Sequence, residues 1–376
     1  MPNNGAYNNQ ASSPAERNVG PVGLTRLPVA GSMPAGVIFQ DGFDDQPDWT
    51  SGMYPSANSD LLPWEGDTLP DNWYAGREDK QWAPSNGNTD RHEAVEILAS
   101  NTGVMTRDGS GKAAVFWRES YDPDGQGKRW NSDGMLLKWF DPGYTQLYVE
   151  FYINFSNECV STYYADGFGI SKIFRIYNWG GDQSQFFEYF GDVNSPKFLW
   201  DVGGSTTYGI RNILSLYARG PNFSGNDIPS LPQDFVAGSN GDLSLSYYSD
   251  IGGQEVGGGT AVLPNKKDGG NITGWPVHLD QLMGDETVWT KMAFFVKMNS
   301  APGVADGVLK QWIDGQRILS NSDIPWIQSG YSMVPWNIVS IGGNDQFSGY
   351  DNSLRHEEWY AIDDLKVMSD IPEGLE

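Results

Sequence analysis

The sequence predicts an all-β fold built as a two-sheet antiparallel sandwich with long irregular loops and an extended N-terminal arm. Three observations predict it. First, 46 Gly and 22 Pro with only 19% charged residues suit many short strands joined by tight turns better than long surface helices. Second, the 15 Trp, 18 Tyr and 17 Phe favour pleated strands, where aromatic side chains pack well. Third, two alternating runs near the C-terminus, Trp289-Thr-Lys-Met-Ala-Phe-Phe-Val-Lys-Met-Asn299 and Asp306-Gly-Val-Leu-Lys-Gln-Trp-Ile-Asp-Gly315, are joined by a polar turn. The second run ends in Asp314-Gly315, a pair suited to the positive φ values of a tight hairpin.

Taken in order, residues 1–36 are rich in Asn, Pro, Gly, Ala and Ser without apolar periodicity, and read as an extended arm or linker. One domain is expected over 37–370. It opens on the strand Val37-Ile-Phe-Gln-Asp-Gly-Phe-Asp-Asp45 and closes on Trp359-Tyr-Ala-Ile-Asp-Asp-Leu-Lys-Val367, two sequences that look like partners; 371–376 is a C-terminal tail. Between them, strands are expected at 94–98, 113–118, 146–155, 169–179, 213–218, 243–248, 292–298, 308–313 and 338–341. Long irregular loops near 50–90 and 220–275 hold too few apolar residues for cores of their own. No fixed-period repeat is visible, which excludes propellers and solenoids. In the hairpin, Met292, Phe294, Val296 and Ile313 should fill the core while Trp312 and Lys297 face away. Cys159 lies in a run that reads as a strand, and as a single cysteine it is expected to be a buried free thiol.

The wording of the hairpin, a strand opening with Trp and closing on Asn, then Asp-Gly, then Trp-Ile-Asp-Gly, resembles the concanavalin A-like jelly rolls of lectins, laminin G-like modules and some polysaccharide lyases. The opening Phe39 to Trp49 resembles phage virion structural proteins as well as lyase-like domains. The resemblance implies a jelly roll that handles sugars, with a structural calcium near the chain ends.

Candidate site residues come from alternation. On 173–179, Ile173, Arg175, Tyr177 and Trp179 share one face; on 149–155, Tyr152 and Asn154 share a face with Glu150. Trp and Tyr stack on sugar rings and Arg grips a carboxylate in two places, so Arg175, Tyr177, Trp179 and Tyr152 are the candidate ligand-binding set. The bland alternative is that Arg175 pairs with a surface acid. For lyase chemistry the resemblance implies Arg or Asn opposite the substrate carboxylate and Tyr as base or acid, which selects Arg175, Tyr177, Asn154 and Tyr152. The Arg-Ser/Thr-Glu-Leu/Val-Arg and Tyr-Phe-Lys-Ala-Gly-x-Tyr-x-Gln strands of such lyases are absent, as is the Glu-x-Asp-x-x-Glu strand of retaining glycosidases on this fold. Glu357-Glu358 and Glu93/Glu96 read as salt-bridge or surface acids. If the first and last strands pair, Asp41, Asp44, Asp45, Asp363 and Asp364 converge, and hard oxygen ligands would select Ca²⁺; otherwise these carboxylates cap backbone N–H groups.

With 48 Asp plus Glu against 24 Lys plus Arg, the net charge of −24 argues against nucleic-acid and membrane-surface partners. No apolar stretch approaches the ~20 residues of a membrane helix, and the N-terminus has no Sec-type signal. These features favour a non-catalytic virion or surface structural protein, a decoration, fibre or tail-associated component whose arm contacts neighbouring subunits and whose jelly roll binds host or environmental glycans. Its place would be the virion or an extracellular surface. The alternatives are a polysaccharide lyase acting on an acidic polysaccharide and a secreted carbohydrate-binding module.

Overall fold

The computed structural model describes residues 35–53, 68–76, 92–119, 130–166, 170–180, 195–205, 209–219, 236–237, 243–246, 263–272, 277–346 and 357–375. Almost all of the expected arm and most of both long loops lie outside these residues. In chain order the strands are β1 (Val37–Asp41), β2 (Trp49–Thr50), β3 (Tyr74–Gly76), β4 (Val95–Ile97), β5 (Ala114–Glu119), β6 (Trp130–Tyr144) and β7 (Gln146–Phe155). The helix α1 (Asn157–Asp166) leads to β8 (Ile170–Tyr177), β9 (Lys197–Ser205), β10 (Gly209–Tyr217), β11 (Val236–Ala237) and β12 (Leu243–Ser246). A short helix α2 (Leu279–Met283) precedes β13 (Thr290–Lys297), β14 (Gly307–Ile313), β15 (Gln316–Ile324), β16 (Trp336–Gln346) and β17 (Glu357–Met368).

These strands make two antiparallel sheets. Sheet A has the order β15-β14-β13-β7-β17-β5-β4-β2, with β1 also on β17; sheet B has the order β11-β12-β10-β9-β8-β16-β6-β3. The first and last strands do pair, with Asp41 opposite Leu365. The C-terminal hairpin forms as expected, Met292 opposite Ile313 and Phe294 opposite Gln311. Asp314 (φ 50°) and Gly315 (φ 80°) then turn the chain into β15 with Ile313 opposite Gln316. Positive φ at both central residues is what a two-residue turn matching the strand twist requires.

The period of two decides which residues meet between the sheets. Val149, Phe151, Ile153 and Phe155 of β7, with Met292, Phe294 and Val296 of β13, face Phe174 and Ile176 of β8, Phe198 and Trp200 of β9, and Val339 and Ile341 of β16 in one core. Phe294 stacks on Phe174 at 5.0 Å. Trp312 lies on the other side of sheet A with Tyr148 and Phe295, as the alternation predicts.

Six strands escape the sequence reading. β2, β3 and β11 are only two or three residues long. Polar residues interrupt β6, which begins Trp-Asn-Ser-Asp-Gly, and β15, which contains Ser-Asn-Ser-Asp at the edge of sheet A, and β9 alternates only over its first residues before ending Val-Gly-Gly-Ser. Cys159 is buried and free, but it sits on α1, not on a strand. Ser156 explains this: its Oγ accepts the Cys159 N–H at 3.1 Å and its carbonyl accepts the Val160 N–H, a helix start capped by a serine hydroxyl. Beneath α1 the buried Arg118 of β5 pairs with Glu358 of β17 at 2.8 Å, and donates to Ser171 of β8 and to the Cys159 Sγ. This ties sheet A to sheet B through a desolvated charge, which is stable only with its partner in place.

Candidate functional site

The outer face of sheet B gathers cations and phenols. On β8, Phe174 and Ile176 enter the core, so Arg175 and Tyr177 point the opposite way. The antiparallel register sets their neighbours. Arg175 lies between Ser340 of β16 and Leu199 of β9, and Tyr177 lies between Ile338 and Lys197. Lys197 in turn lies opposite Tyr217 of β10, and Ile338 opposite Trp139 of β6. The row Tyr217, Lys197, Tyr177, Ile338, Trp139 therefore crosses five adjacent strands.

Lys197 Nζ is 5.0 Å from the centre of the Tyr217 ring and 6.0 Å from that of Tyr177. Arg175 and Lys197 are each 2% exposed, and Tyr177 is buried with them. Burial pushes the Tyr177 ionisation up; the positive charge of Arg175 works against this and is outweighed, so the phenol stays protonated. The seat of Arg175 is built into the sequence Ile341-Gly342-Gly343. Gly342 (φ 82°) and Gly343 (φ 149°) lie where the β8–β16 register shifts, Arg175 Nη1 donates to the Gly342 carbonyl at 2.7 Å, and a Cβ on Gly343 would stand 2.5 Å from Arg175 Nη2. Trp179, just beyond β8, meets Trp139 edge-to-face at 5.2 Å. A guanidinium and a lysine side chain fixed beside two phenols and an aromatic rim can neutralise an acid and move a proton next to it.

Three of the sequence-selected residues, Arg175, Tyr177 and Trp179, thus share this face. Tyr152 and Asn154 do not. They lie on β7, whose inward residues fill the same core from sheet A, so their side chains leave the sandwich on its opposite side. Alternation assigns each strand a face but not a sheet, and α1 carries the chain from sheet A to sheet B between β7 and β8. Asn154 there donates to the carbonyls of Val104 and Glu286, both at 2.8 Å, and Tyr152 lies under the Arg107 guanidinium at 4.2 Å. Lys197 and Tyr217 escape the sequence reading although the signal was present: Lys197-Phe-Leu-Trp-Asp201 alternates, with Phe198 and Trp200 in the core. What was missing was the register that sets Lys197 beside Tyr177.

The five aspartates near the chain ends divide into separate groups. The Asp41 oxygens accept from the Phe43 N–H (2.7 Å), Gln46 Nε2 (2.6 Å) and Trp73 Nε1 (2.7 Å), which occupies that carboxylate within the protein. Asp44 accepts the Lys112 N–H, Asp364 pairs with Arg107 at 2.5 Å, Asp363 accepts the Asp364 and Arg107 N–H groups, and Asp45 is exposed. Burial pushes the Asp363 carboxyl up to about 7, with Asp364 and Asp44 adding to the rise. Asp44, Asp363 and Asp364 thus lie within electrostatic reach of one another while Asp41 is engaged by its own donors, and no chemistry below passes through a metal.

No known protein family matches the sequence, and no curated protein does. Among solved structures, the chain is similar to a mutant of alginate lyase Aly36B in complex with alginate tetrasaccharide, at 11% identity and TM-score 0.42, covering 89% of this chain and 97% of that one. It is also similar to the endo-β-1,4-glucuronan lyase of the fungus Trichoderma reesei (12% identity, TM-score 0.38, 73% and 87% covered) and to LamAcat of Zobellia galactanivorans (12% identity, TM-score 0.39, 89% and 98% covered). The expectation of a non-catalytic virion structural protein is corrected here: two of these three structures bear the names of an alginate and a glucuronan lyase, and none that of a virion component.

Proposed function

We propose that the protein is a polysaccharide lyase that cleaves an acidic polysaccharide by β-elimination on the outer face of sheet B. The observation that carries the reading is Lys197, buried between the Tyr177 and Tyr217 rings in the register row next to Arg175. β-Elimination at a uronate needs a cation on the carboxylate, a base for the C5 proton and an acid for the leaving oxygen. Arg175 takes the carboxylate, and the water-poor surroundings strengthen its charge. Lys197, acting as the neutral amine, accepts the C5 proton, a role to which buried lysines are suited. The C5 electron pair becomes the C4=C5 double bond as the C4–O4 bond breaks, and Tyr177, held protonated by burial, gives its proton to O4. Proton transfer from Lys197 to Tyr177 then restores both groups. Trp139, backed by the buried Trp179, supplies a ring surface for the sugar chain.

The test is the near-ultraviolet absorbance of unsaturated uronate when the protein is mixed with alginate or glucuronan, with a neutral glucan as control. The expected result is a rise on a polyuronate that Arg175→Ala abolishes. A flat trace on both polyuronates overturns the reading, and binding without an absorbance rise favours a carbohydrate-binding module instead.

A further inference from the structure

One end of the sheet B face is built differently from the rest, and its construction points to a task. Arg175, Lys197, Tyr177 and Trp179 are all buried, whereas Trp139 on β6 is partly exposed. Trp139 stands in the same cross-strand row as Tyr177, with Ile338 between them. Two strand spacings place it about 10 Å from Tyr177, roughly two pyranose units away.

Its support is rigid. Trp179 packs edge-to-face on Trp139 at 80°, and Trp179 is itself held by Asn337. The Asn337 Oδ1 accepts the Trp179 N–H at 2.7 Å and its Nδ2 donates to the Trp179 carbonyl at 2.9 Å, so one buried side-chain amide satisfies both backbone groups of the residue. The neighbouring Asn178 donates to the Pro335 carbonyl at 2.9 Å, which closes the same joint from the other side. A ring that only filled space would need neither its exposure nor a clamp on the residue behind it. Shared support of this kind fixes a contact surface before a ligand arrives and lowers the ordering cost of binding.

Resting on the lyase reading, we propose that Trp139 is a distal sugar platform, stacking on a ring about two units from the one that reacts, and that Asn337 is its positioning residue. The polysaccharide then lies across the strands, along the row from Tyr217 to Trp139. Binding energy at this platform is available only to chains long enough to reach it, so the protein favours longer oligomers.

The experiment measures kcat and KM on size-fractionated oligoglucuronates and oligoalginates for wild type, Trp139→Ala, Trp139→Phe and Asn337→Ala. Isothermal calorimetry with the hexamers and a melting temperature for each variant accompany it. For Trp139→Ala the expected result is a KM on hexamers raised roughly tenfold, the size of one lost stacking contact, with kcat held. The deficit shrinks on the shortest cleaved oligomers, Trp139→Phe restores most of it, and Asn337→Ala shows the same length dependence in milder form. Equal losses at every length overturn the platform, because a merely structural role is blind to chain length. If wild type yields no unsaturated product, the lyase reading has failed on its own. The platform then stands if Trp139→Ala weakens hexamer binding and falls if it does not. A wild type that neither cleaves nor binds these oligomers overturns both.

Discussion

The two outer faces of the sandwich use the same residue types and reach opposite results. On sheet A the charges are closed in pairs. Glu150 accepts from Lys291 at 2.8 Å, Lys366 at 3.3 Å and the Tyr148 hydroxyl at 2.7 Å; Arg107 pairs with Asp364; and His92 stacks on Trp117 at 3.6 Å with its Nδ1 3.1 Å from Glu96. Its apolar patch of Tyr148, Phe295 and Trp312 is covered by Ile371 and Leu375 of the C-terminal segment, with Trp312 Nε1 donating to the Leu375 carbonyl. On sheet B, Arg175 is seated on a backbone carbonyl and Lys197 lies between aromatic rings. An Arg, a Lys and two Tyr are therefore not a site by composition. They become one where the strand register sets all four side chains beside one another on one face.

The largest effect expected from this contrast is on catalysis. Tyr177→Phe keeps the ring and removes the proton donor, so turnover of polyuronate should fall about a thousandfold, within the range of general-acid contributions. Tyr152→Phe, the matched change on sheet A, should leave turnover unchanged in the same assay. Next in size is stability: Trp312→Ala on sheet A should cost about 3 kcal/mol in denaturant unfolding by emptying a fully buried indole site, with kcat retained. A rate loss there would break the division between the faces.

A smaller effect depends on pH. Asp363 titrates near 7 in the folded protein against 3.8 for an ordinary aspartate, so between these values the folded state holds a proton that the unfolded state has lost. Stability should fall as pH rises from about 4 to 7, on the order of 1–3 kcal/mol, and level off above. Asp363→Asn should flatten that slope, which chemical denaturation at several pH values reads directly. Smallest is Arg107→Ala, a part-exposed cation over the Tyr152 ring and beside Asp364. It should cost about 0.5–1 kcal/mol and change no kinetic constant.

Local pattern made much of this legible in the sequence. Alternation placed Met292, Phe294, Val296 and Ile313 in the core and Trp312 outside it, and the opening and closing strands were recognisable as partners. Glu358 and Glu96 were readable as ion-pair acids, and they meet Arg118 and His92. Register was not legible, since it depends on which strand lies next to which. Lys197 and Tyr177 are 20 residues apart and directly opposed, while Tyr152, at a similar distance along the chain on the other side of Tyr177, belongs to the other sheet. The partners of the Asp41 carboxylate were not legible either, since its three donors arrive from Phe43, Gln46 and Trp73, of which Trp73 is far along the chain.

The most direct measurement is a paired assay of Lys197→Met on sheet B and Lys291→Met on sheet A, both following unsaturated uronate release from the same polyuronate at matched protein folding. The account predicts that Lys197→Met melts close to wild type and is inactive, while Lys291→Met keeps full activity. Full activity in Lys197→Met, or loss confined to Lys291→Met, would contradict it.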